Sequence, residues 1–151
     1  MKGTYITMAG TMKIRVLTVT KKAKMKDLAN KISAKADCYK PVDIIPPAYT
    51  CDRERLVIVV LTAAKLMSDD FRRFIQDLSR EKIQNIAFIA DGTPDLMAPI
   101  LDSVKKSDTN LIEDVLYIDG GSSLPFFGAK LKPEEETAAL AWCEKIVENL
   151  K

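Results

Sequence analysis

A chain of 151 residues, 47% hydrophobic and 29% charged, has the size and balance of one folded domain and excludes a disordered polymer. A net charge of +2 is too near neutral for a nucleic-acid binder, and no apolar run approaches the roughly 20 residues of a membrane span. Histidine is absent and the three cysteines, Cys38, Cys51 and Cys143, are widely spaced; this removes most metal, Ser-His and Cys-His chemistry and points to a reducing cytoplasm.

Residues 1–11 lack the continuous apolar core of a signal peptide and read as a short extension, with Met12 as an alternative start, ahead of a domain spanning residues 12–151. The first strand covers residues 14–19. It is followed by Lys21, Lys22, Ala23, Lys24, Met25 and Lys26, and then by a helix whose apolar stripe is Met25, Leu28, Ala29 and Ile32. A weak second strand at residues 42–45 is closed by Pro46 and Pro47. The clearest strand, residues 56–61, is a continuous β-branched run of the kind buried on both faces of a parallel sheet.

Ser68 is a good N-cap for a helix that buries Phe71, Phe74, Ile75 and Leu78, with Asp69 and Asp70 at the positive end of its dipole. A fourth strand at residues 86–90 ends in Asp91-Gly92, read as a turn. Pro99 should break a helix begun at Thr93-Pro94, so that helix is expected to start late, near Ala98, after a structured loop. A fifth strand at residues 115–118 leads into a long glycine-containing loop. The final helix starts at Pro133 and buries Ala139, Trp142, Cys143, Ile146, Val147 and Leu150.

Strands alternating with helices predict an α/β fold. The expected form is a three-layer α/β/α sandwich around a five-stranded parallel sheet in the flavodoxin-like order 2-1-3-4-5. Ligands of such a sheet bind outside the carboxyl ends of the strands. The segments to read are therefore residues 20–25, 62–67, 91–95 and 119–130. Glycine-rich dinucleotide and nucleotide loops and the Gly-x-Ser-x-Gly elbow are absent. The third strand also lacks the terminal aspartate of a response-regulator receiver.

From about Met12 to Lys151 the pattern of strands, loops, the Pro46-Pro47-Ala48-Tyr49 approach to the third strand and the capped final helix resembles the flavodoxin family. The resemblance implies FMN, held by a Ser/Thr-x-Thr-Gly-x-Thr loop. Matched on the helix, that loop falls on Thr20, Lys22, Ala23 and Met25; matched on the strand, on Thr18, Thr20, Lys21 and Ala23. Neither register restores the glycine. The loops that would stack on the flavin, residues 62–67 and 91–95, contain no aromatic residue.

The expectation is thus an eroded FMN site with no cofactor, in a protein that acts as a binding or interaction module. Its lysine loop would suit an acidic protein or a phosphate-bearing ligand, and neither nucleic acid nor membrane is expected as a partner. The alternative is a divergent FMN protein active in electron transfer or as a small flavin reductase. Its phosphate would lie on Thr18, Thr20, Lys21, Lys22 and Ala23. Its ring would lie near Thr62, Met67, Gly92, Thr93, Leu96, Phe126 and Phe127. An enzyme without flavin ranks third, for want of any nucleophile constellation.

Overall fold

The computed structural model describes residues 4–7, 10–44, 51–121 and 129–151. In chain order the elements are β1 (Thr4–Thr7), β2 (Gly10–Val19), α1 (Ala23–Lys35), β3 (Val42–Asp43), β4 (Glu54–Thr62), α2 (Asp69–Gln76), β5 (Ile83–Asp91), α3 (Pro94–Lys105), β6 (Asn110–Leu111), β7 (Leu116–Tyr117) and α4 (Pro133–Asn149). β4 and β5 lie in the middle of the sheet because both of their faces are apolar and both must be covered. β2 flanks β4 in parallel, β3 pairs with the outer edge of β2, and β6 and β7 pair with β5. This is the expected flavodoxin-like sandwich, with parallel order β3-β2-β4-β5 followed by a divided fifth strand.

Two features go beyond the five expected strands. β1 runs antiparallel to the beginning of β2, from Thr4 opposite Lys13 to Thr7 opposite Gly10, so part of the leader joins the sheet. The fifth strand is split: Leu111 and Leu116 are five residues apart, whereas their partners Ile86 and Ile89 are three apart. The surplus residues bulge outwards, and the Asp114 carbonyl there accepts a 2.7 Å hydrogen bond from Trp142 Nε1 on α4.

Strand alternation divides the interior. Ile14, Val16, Leu56, Ile58, Val60, Ala87 and Ile89 face α1 and α4. Leu17, Val57, Val59, Leu61, Ile86, Phe88 and Ala90 face α2 and α3. The helical stripes agree with most of the sequence pattern: Met25, Leu28, Ala29 and Ile32 are fully buried and Trp142 and Cys143 lie in the core, whereas Phe74 and Leu150, expected to be buried, are only partly so.

The helix after β5 departs from expectation. It begins at Pro94, not near Ala98, because the Thr93 hydroxyl accepts from the Leu96 amide and caps it, with proline at the first helical position. Pro99 still deletes one helical hydrogen bond, but Pro99 and Asp95 are both exposed, which leaves the orphaned Asp95 carbonyl on the water side. No described helix is long and apolar enough to cross a membrane.

Candidate functional site

The rungs of the sheet facing α1 and α4 turn polar at their carboxyl end. Ile14, Val16, Thr18 and Thr20 share one face of the first long strand and its exit, and the register continues across β4 and β5 to pair Thr62 with Asp91. Thr20, Thr62 and Asp91 therefore form one row across three adjacent strand ends. Thr20 Oγ1 lies 2.7 Å from Thr62 Oγ1, and Thr62 Oγ1 lies 3.0 Å from Asp91 Oδ2. An ionised carboxylate only accepts, so Thr62 donates to Asp91 and Thr20 donates to Thr62. Thr20 in turn accepts from the Lys22 amide at 3.1 Å, which fixes the turn that leads into α1.

Lys22 closes the arrangement. Its ammonium sits 2.7 Å from Asp91 Oδ2, while the Gly120 amide donates to Asp91 Oδ1 at 2.8 Å. Gly120 is required by space: a Cβ there would come within 2.5 Å of Asp91 Oδ2 and 3.0 Å of Lys22 Cδ. Burial pushes the Asp91 carboxyl up, but the hydrogen bonds from Lys22, Gly120 and Thr62, together with the Lys22 charge, outweigh it and hold the group below its ordinary value. The carboxylate is buried and ionised, and it already has three donors.

A second lysine of the same loop is also turned inwards. Lys24, with a side chain only 4% exposed, donates to the Asp119 carbonyl at 2.6 Å and pairs with Glu135 at 2.9 Å. Glu135 accepts from the Lys132 amide at the start of α4, and this bond and Lys24 hold its carboxyl below the usual range. The lysine loop thus ties α1 to β5, to the segment after β7 and to α4. Lys21, Ala23 and Lys26 remain exposed.

The other sequence candidates fall into separate places. Thr18 is buried, and its hydroxyl donates to Asp43 of β3, away from the turn. Thr93 is the cap of α3. Gly92 is a point of close approach, since a Cβ there would lie 2.9 Å from the Ala63 side chain. Met67 and Leu96 belong to the opposite face, in a groove between α2 and α3. Phe126 and Phe127 lie outside the described residues. Thr20, Lys22 and Thr62 are brought together; Met67 and Leu96 are not part of that group.

Asp91 and Gly120 lie in the segments marked by the strand ends but were not singled out as site residues, and Glu135 was missed. Asp91 closes a buried apolar run, the one signal that separates it from an ordinary turn aspartate. That it meets Lys22 follows only from the adjacency of β2, β4 and β5. The cysteines offer no alternative chemistry: all three are buried, and burial pushes the Cys51 and Cys143 thiols up to about 12. Among the described residues no group of three or more acidic, cysteine or histidine side chains is placed to hold a metal ion. Comparison with protein-family models and with curated proteins gave no significant match to this chain.

Proposed function

We propose that this chain is a binding module built on a flavodoxin-like sandwich, and not a working flavin electron carrier. One observation carries the reading: the turn after β2 already holds an anion, the Asp91 carboxylate, neutralised by Lys22. A phosphate at that turn would need donors and a net positive field. The Thr20 and Thr62 hydroxyls and the Gly120 amide are committed to the internal chain that ends on Asp91, and the carboxylate repels a second anion. The cations left for an acidic partner on this loop are Lys21 and Lys26, both exposed.

Titration of the flavin-free protein with FMN, followed by quenching of flavin fluorescence, tests the reading. The expected result is no saturable quenching up to about 100 μM, a concentration far above the Kd of a resident cofactor. Tight saturable binding would overturn it in favour of the divergent FMN protein, with phosphate displacing Asp91 from Lys22.

A further inference from the structure

On the opposite face of the sheet, α2 and α3 leave between them a groove of about 650 Å³. Its α3 wall is formed by Leu96, Pro99, Ile100, Ser103 and Lys106, at spacings of three, four, seven and ten residues from Leu96. That is one face of the helix, so the groove follows α3 for nearly its whole length, about 15 Å from Leu96 to Lys106. Phe71, Ile75 and Ile100 form a nearly buried floor, and Met67 and Leu96 line its sides. Leu66, on the loop after β4, stands at the lip with 75% of its surface exposed.

The charged side chains that line this groove are cationic. They are Lys65, Arg72 and Lys106, and among the described residues none of the lining side chains is a carboxylate. Arg72 is shared with Asp69 one turn earlier on α2. Among the described residues Lys65 and Lys106 have no ion pair, and they stand at opposite ends of the groove. Lys65 follows Ala63, which packs beside Gly92 just before α3, whereas Lys106 is the residue that ends α3.

We propose that this groove receives an amphipathic helical segment of a partner protein whose apolar stripe is flanked at both ends by carboxylates. The proposal rests on the reading of the chain as a binding module. A groove nearly three helical turns long with Phe71, Ile75 and Ile100 on its floor takes side chains spaced at i, i+3, i+4 and i+7 from such a segment. Cations at both ends select a ligand with acidic groups at both ends; an amphiphile with a single head would satisfy only one of them.

The test uses two fluorescein-labelled peptides of about twelve residues, long enough to span the groove with a charged residue beyond each end. Both carry leucines at i, i+3, i+4 and i+7; one has glutamates at each end and the other lysines. Fluorescence anisotropy is expected to give saturable binding of the glutamate peptide. Binding should weaken at least about tenfold for the lysine peptide, for Leu66→Glu, and for the double variant Lys65→Glu with Lys106→Glu. Equal binding of both peptides, or no saturable binding of either up to about 1 mM, overturns the proposal. So does displacement of the glutamate peptide by decanoate at lower concentration than by unlabelled peptide, which would assign the groove to a small amphiphile. A dimer detected by sedimentation and lost in Leu66→Glu would assign it to a second copy of this chain. The FMN titration is a separate readout: tight FMN binding with peptide binding intact would overturn the exclusion of a flavin carrier and leave the groove assignment standing.

Discussion

The two faces of the sheet are covered to different degrees. On one, α1 and α4, of 13 and 17 residues, pack against each other, and the polar strand ends beneath them are closed by Lys22–Asp91 and Lys24–Glu135. On the other, α2 has only 8 residues beside the 12 of α3, and between them remains a groove at whose ends Lys65 and Lys106 have no ion pair among the described residues. The same lysine-rich composition has opposite consequences on the two faces. Where a carboxylate meets the lysine inside, the site is satisfied and closed; where none does, the charge stays at the surface.

The closed face is broken most directly at Asp91. Asp91→Ala strands the Lys22 ammonium and leaves the Thr62 hydroxyl and the Gly120 amide without their acceptor. The expected loss is about 2–3 kcal/mol in urea unfolding, below that of a fully buried pair because the Lys22 side chain is 21% exposed and can turn to water. Adding Lys22→Met should recover about 1 kcal/mol; an additive further loss would show that the pair is not coupled.

Acid is the next largest lever. Asp91 and Glu135 have folded-state pKa values below the ordinary 3.8 and 4.5, so their pairing stabilises the fold fully above those values. That contribution is lost as pH falls through the depressed folded values. Urea midpoints measured from about pH 5 down to pH 2 should fall for the native chain, and less steeply for Asp91→Asn, which no longer has the Asp91 proton to take up. Parallel curves would remove Asp91 from the account.

The smallest effect is expected on the open face. Leu66→Glu should change unfolding free energy by no more than about 0.5 kcal/mol, since the side chain is three-quarters exposed. A larger loss would mean that Leu66 belongs to the fold and is not a contact held in reserve.

The layers of this fold were legible from local pattern. The β-branched run that became β4, the apolar run within β5 and the stripe Met25, Leu28, Ala29 and Ile32 carry their burial in their pattern. Pro99 misled because the rule against internal proline does not by itself weigh the well-capped start at Thr93 or the exposure of Pro99 to water. The candidate site was half legible. The lysine loop was evident, but its charges looked external because their acceptors, Asp91 and Glu135, lie far away in sequence and meet it only through strand order and the seating of α4. The groove was not legible at all, because it results from the shortness of α2 relative to its neighbour, a property of two helices together.

The divided fifth strand has a consequence for how this molecule can meet others. β6 and β7 contribute two residues each along one margin of the sheet; β3 contributes two and β1 four along the other. Among the described residues neither margin offers a long straight run of unpaired amides and carbonyls on which a foreign strand could be templated. Growth of the sheet from chain to chain is thereby discouraged at both ends, and the partner proposed above would have to meet side chains on the helical layers.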